Sequence, residues 1–97
     1  MLKIYDKAQW HIDGGEDKIS VVDKLKIILY FLLDRGLLSS EGKEIVDLGI
    51  DSSVSIHEKM LTQEGQKFMD EYYDKVIGKS KKEIIAALEK DFDDFRL

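Results

Sequence analysis

The chain has 97 residues, of which 43% are apolar and 36% charged, with a formal net charge of −5 and neither cysteine nor proline. A chain of this length has room for one core and buries roughly 65% of its unfolded surface, enough to fold without staples. The lack of cysteine excludes disulfides, thiolate nucleophiles and thiolate metal sites, and the acidic balance disfavours non-specific attraction to phosphate backbones and anionic membranes.

The N-terminal stretch "MLKIYDKAQW" has neither a basic start nor an apolar run of signal-peptide length. The longest apolar run, Ile27 to Leu33, is too short to span a bilayer, so a cytoplasmic location away from membranes is expected. From Leu2 to Ile12 the pattern favours a helix. Ile4, Ala8 and Ile12, with Tyr5 beside them, form a helical stripe, and Ala8, Gln9 and Trp10 do not alternate as a strand would, although "LKIY" alone would also suit one. The paired glycines in "DGGE", Asp13 to Glu16, then mark a turn.

Asp17 to Arg35 reads as the central helix. Asp17 or Ser20 caps its start, and Val21, Val22, Leu25, Ile28, Leu29, Leu32 and Leu33 recur at helical spacing. Ile27, Tyr30 and Phe31 carry the apolar surface around most of the circumference, which predicts burial on nearly all sides. Gly36 stands where a left-handed C-cap belongs.

Two later stretches nearly repeat each other: "LSSEGKEIVD" from Leu38 and "LTQEGQKFMD" from Leu61. Each places a hydroxyl residue, Ser39 or Thr62, where its oxygen can accept an orphan backbone N–H, with Glu41 or Glu64 complementing the positive helix end. The repeat therefore predicts two helix starts, the first helix ending near Gly49 and the second near Gly78. Gly42 and Gly65 would also permit close approach of a ligand backbone or phosphate, but neither stretch has the glycine density of a phosphate loop.

Between these helices Val54 and Ile56 alternate with polar residues, which fits a short strand near residues 53–58. The cluster Asp51-Ser52-Ser53 would equally cap a short helix or hold a loop. Ser80 and Glu83 form a capping box ahead of Ile84, Ile85, Leu88, Phe92 and Phe95, and the acidic end of this last helix predicts fraying unless Phe92 and Phe95 dock. The expected fold is mainly α: one domain, a bundle of about five helices around the buried helix 17–35, with a short strand near 53–58. Tyr72, Tyr73, Phe92 and Phe95 would close either the core or a homodimer seam.

Chemistry-bearing patterns are sparse. His11 and His57 are the only histidines, and neither has a carboxylate at the spacing of a metal signature, so no metal and no cofactor is expected. No glycine-flanked serine elbow is present, and no catalytic residue is assigned. The densest functional candidate is "IYDKAQWHIDGG", which gathers Tyr5, Asp6, Trp10, His11 and Asp13. On a helix Asp6 and Trp10 would lie one turn apart, and tryptophan and tyrosine have the area and polar tips of binding hot spots.

The run Tyr5-Asp6-x-Ala8-x-Trp10-His11, then Gly14-Gly15, then an apolar helix ending "LLDRGLLSSE", resembles a group of short, uncharacterised bacterial proteins that open the same way. Some of these are suspected of acting as immunity or accessory proteins beside toxin genes. The resemblance covers residues 1–42. It departs from the group in the loop after the glycines, which here is the short, proline-free "GGEDKIS". What it implies is a protein-binding module without catalysis, whose partner would be a basic protein given the net charge, and not nucleic acid. The alternative is a winged-helix-like DNA-binding regulator, suggested by "LLDRGLLSSEG" followed by a ribbon and "LTQEGQKF". The recognition helix of such a regulator would set Lys43 against Glu41, Glu44 and Asp47.

Overall fold

The N-terminal segment opens as a strand, correcting the expected helix over Leu2 to Ile12. The computed structural model describes residues 2–97 and is mainly helical. Strand β1 (Ile4–Lys7) pairs antiparallel with β2 (Ser55–His57), and only then does the short helix α1 (Ala8–Asp13) begin. The register matches Ile4 with His57 and Asp6 with Ile56, so Tyr5 is an extra residue in a bulge. Such a bulge breaks strict alternation and re-aims the side chains beside it. β1 passes into α1 without a loop, and the Ala8 N–H donates to the Val54 carbonyl at 3.0 Å.

Helix α2 (Lys18–Asp34) follows the "GG" turn. The Asp17 carboxylate caps it by accepting from the Ser20 N–H at 3.0 Å. Its far end closes with Gly36 at φ +72°: the Leu37 N–H reaches back to the Leu32 carbonyl and the Gly36 N–H to that of Leu33. This paired pattern satisfies two orphan carbonyls and needs the left-handed residue that glycine supplies most cheaply. Leu25, Ile28, Leu29 and Leu32 are fully buried, yet Ile19 and Tyr30 face outward, so α2 is covered on three sides and not all round.

Helices α3 (Ser40–Leu48) and α4 (Gln63–Val76) begin at the two halves of the repeat, and the structure makes the repeat a local two-fold. Leu38 and Leu61 form an antiparallel bridge. The Ser39 N–H donates to the Met60 carbonyl and the Thr62 N–H to the Leu37 carbonyl, both at 2.9 Å. The Ser39 hydroxyl accepts from the Gly42 N–H at 3.2 Å, and the Thr62 hydroxyl from the Gly65 N–H at 3.0 Å. Each helix's first turn is thereby pressed against the backbone of the other half. A Cβ on Gly42 would stand 2.2 Å from the Met60 carbonyl oxygen, and one on Gly65 2.4 Å from that of Leu37. What approaches these glycines is the chain's own backbone.

Helix α5 (Lys81–Arg96) runs almost to the C-terminus without fraying, because Phe92 and Phe95 dock. Phe92 meets Phe31 edge-on at 5.9 Å and Phe68 at 5.8 Å, and Phe95 meets Phe68 at 5.5 Å. The start of α5 differs from a full capping box: the Ser80 hydroxyl donates to the Glu83 carboxylate at 2.8 Å and accepts no backbone N–H. One contiguous core joins α2, α4 and α5 with Leu37, Leu38, Ile56, Met60 and Leu61.

Alanine at a helix position ordinarily gains up to about 1 kcal/mol over glycine. At Gly42 and Gly65 the sign reverses, since the new methyl strikes a carbonyl oxygen fixed by the hydrogen bond from Ser39 or Thr62. Gly42→Ala and Gly65→Ala are each expected to cost about 2 kcal/mol or more. Urea melts check this, and an unchanged or raised midpoint would show that the two first turns are not held in this contact.

Candidate functional site

The five candidate residues divide between inside and outside. Asp6 is 4% exposed and is the only buried acidic or basic side chain among the described residues. Its carboxylate accepts from three directions: the Lys7 N–H at 2.8 Å, His11 Nε2 at 2.8 Å and the buried Tyr73 hydroxyl of α4. The other ring nitrogen of His11, Nδ1, lies 2.7 Å from Glu16 in the turn after α1. A carboxylate only accepts when ionised, so a ring placed between two of them is favoured in its doubly protonated form.

Burial alone would lower the His11 pKa, but its hydrogen bonds to Asp6 and Glu16 outweigh this and raise it above the ordinary 6.5. Burial, followed by the Asp6 charge, pushes the Tyr73 hydroxyl strongly upward, so it stays a donor. Both ring nitrogens of His11 are engaged by carboxylates. The cluster behaves as a clamp joining β1, α1 and the "GG" turn to α4. Beside it lies a cavity of about 210 Å³ lined by His11, Glu16, Lys24 and the apolar Val21, Leu25 and Ile77.

Tyr5 turns to a different place on α4. Its hydroxyl donates to Asp70 Oδ1 at 2.9 Å, and Lys3 Nζ reaches the same oxygen at 2.5 Å. The Lys3 ammonium holds the Asp70 carboxyl below its usual range, while burial and Asp70 push Tyr5 up. Trp10 and Asp13 face solvent. The Trp10 ring is 53% exposed with Lys7 Nζ 5.8 Å from its centroid, and Asp13 takes a hydrogen bond from Gln9 at 2.7 Å. Asp6 and Trp10 do not share a helix face, because Asp6 belongs to the strand.

His57 lies apart from this cluster. Its Nε2 is 3.7 Å from Glu41, while its buried Nδ1 has no protein partner. No group of three metal-ligating side chains occurs among the described residues. Tyr72, Tyr73, Phe92 and Phe95 all pack on the core, so those four rings form no exposed seam. Tyr73 and Glu16 are the partners that the sequence pattern missed. Tyr73 lies 67 residues from Asp6 and within an ordinary apolar stripe, which leaves no local signal. Glu16 is five residues from His11 across a glycine turn, outside helical spacing. Comparison with known protein families, curated proteins and solved structures finds no match to the chain.

The clamp sets a pH dependence. A group whose folded pKa is raised stabilises fully below its unfolded pKa and loses that contribution as pH climbs through the folded value. Stability is therefore expected to fall from pH 6.5 upward through the His11 transition. His11→Gln should lower stability by about 3 kcal/mol on the acidic side, since it leaves Asp6 a poorly paired buried charge, and should flatten the slope. Melts across this range for both chains are the check, and an unchanged slope in His11→Gln would place the titration elsewhere.

Proposed function

We propose that this chain is a protein-binding module of immunity or accessory type, acting in the cytoplasm by covering a partner's surface, with no catalysis of its own. The observation that carries the reading is Trp10: a large aromatic side chain, half exposed, on a six-residue helix that the Asp6 clamp holds in place. Tryptophan exposed on a preorganised element is the residue type that most often dominates binding energy, and a fixed helix has little ordering cost left to meet on association. Exposed Asp13, Glu16 and Asp17 follow it in the turn, which favours a basic partner surface and, with the net charge of −5, faster encounter.

The resemblance of residues 1–42 to suspected immunity proteins points the same way. No described helix is long and apolar enough to cross a membrane. The regulator alternative has less support, because α3 exposes Glu41, Glu44 and Asp47 against a single lysine, Lys43. Such a surface repels the phosphate backbone on which DNA affinity depends.

Native mass spectrometry of the chain captured gently from its own cells tests the reading. A stoichiometric protein partner is expected, and Trp10→Ala should weaken its binding roughly 30-fold while moving stability by less than about 0.5 kcal/mol. A chain that carries no partner would refute the function. A partner retained at full strength by Trp10→Ala would refute the α1 face as its site.

A further inference from the structure

A second surface stands apart from the α1 face. Ile19 and Tyr30 on α2, 72% and 51% exposed, are eleven residues apart, about three helical turns, and so lie on one side of the helix. α5 runs beside them in the same direction as α2 and adds Ile85, 41% exposed. Together Ile27, Tyr30 and Ile85 line a shallow groove of about 450 Å³ between the two helices. Its ends are charged in opposite order. At one end Lys81 Nζ lies 3.4 Å from Asp23, and at the other Arg35 contacts Asp34 and lies 3.9 Å from Glu89.

We propose that this groove is the seam of a two-fold homodimer, in which α2 and α5 of one copy lie antiparallel on the same helices of a second copy. The charge pattern selects that occupant. The antiparallel seating sets Lys81 of each copy against Glu89 of the other, and Arg35 of each against Asp23 of the other. Lys81 and Arg35 each gain an anion from the other copy, Arg35 in addition to its own Asp34 and Glu89. The strip sets both signs of charge around an apolar centre, so a copy of itself offers complementary charges despite the chain's net −5. The existing pairs, long and exposed, are free to be shared across the seam.

The size also fits a second copy. The 17 residues of α2 span about 25 Å, and with α5 about 9 Å away the two-helix face offers roughly 500 Å² per copy. A symmetric pair would bury roughly 1,000 Å², the lower bound for a specific interface. In this dimer Tyr30 and Ile85, each midway between the charged ends, stack on their own images across the axis.

Sedimentation equilibrium over a wide concentration range is the first test. The unmodified chain should dimerise, and Tyr30→Glu, at an exposed position, should weaken the dimer at least about tenfold while keeping a cooperative melt. A chain monomeric throughout, or a dimer indifferent to Tyr30→Glu, would overturn the proposal. Should Tyr30→Glu fail to fold, a charge exchange decides alone. Lys81→Glu and Glu89→Lys each place like charges across the seam in their own homodimers, but mixed together they restore opposite charges at every contact. Native mass spectrometry of the equimolar mixture should show heterodimer well above the statistical half. A statistical distribution would overturn the antiparallel seating.

Discussion

The buried Asp6 carboxylate is the constraint that organises the N-terminal third of the molecule. Taking a carboxylate out of water costs several kcal/mol unless the interior replaces what the solvent supplied. Here the replacement comes from the Lys7 N–H, the His11 ring and the Tyr73 hydroxyl, which belong to the strand–helix junction, α1 and α4. Satisfying one charge therefore fixes three elements relative to each other. α1 needs that help. Six residues are too few for a stable helix in water, and Ala8 is its only fully buried side chain. Electrostatics adds to the packing of Ala8 and Ile12 in holding α1 in place.

The other organising device is geometric. The halves of the repeat face each other across the Leu38–Leu61 bridge, each lending a carbonyl to the other's backbone and each meeting a glycine in the other's first turn. The residues shared by "LSSEG" and "LTQEG" are those the contact uses: leucine in the bridge, a hydroxyl for the cap, glutamate at the positive helix end and glycine where backbones touch. The unshared residues, Ser40 and Gln63, lie outside it. Two helix starts that cap themselves and brace each other form a nucleus of local and middle-range contacts. On this nucleus α2 and α5 close through Phe31, Phe68 and Phe92.

The sequence was legible where structure is written in local periodicity. Helices α2 to α5 follow from apolar spacing and from the caps Asp17, Ser39 and Thr62, and β2 follows from the alternation of Val54 and Ile56. β1 was not legible, for three physical reasons: Tyr5 sits in a bulge that breaks period two, Asp6 occupies an inward position as a charge, and the pairing partner lies some fifty residues away. The same cause hid half of the clamp. Asp6 and His11 stand out as a concentrated segment, but Tyr73 reads as one more aromatic residue in an amphipathic stripe. For α2 the apolar pattern overstated burial, because the elements packed on it leave one side of the 17-residue helix uncovered, and Ile19 and Tyr30 stay in water.

The clamp and the proposed contact surface fall on neighbouring residues of α1. His11 turns inward to two carboxylates, while Trp10, one residue earlier and about 100° around the helix, turns out to solvent. A substitution can therefore remove the exposed ring without disturbing the charge that anchors the helix beneath it. The converse does not hold. Loss of His11 leaves the buried Asp6 carboxylate without one of its three hydrogen-bond partners and weakens the link between α1 and α4. Under the proposed function, protonation of His11 would support binding through Trp10, because the clamp braces the helix that carries the ring. The coupling runs in both directions. Any partner that binds the ordered helix in preference to the released one favours the protonated state of His11, and so raises its pKa further.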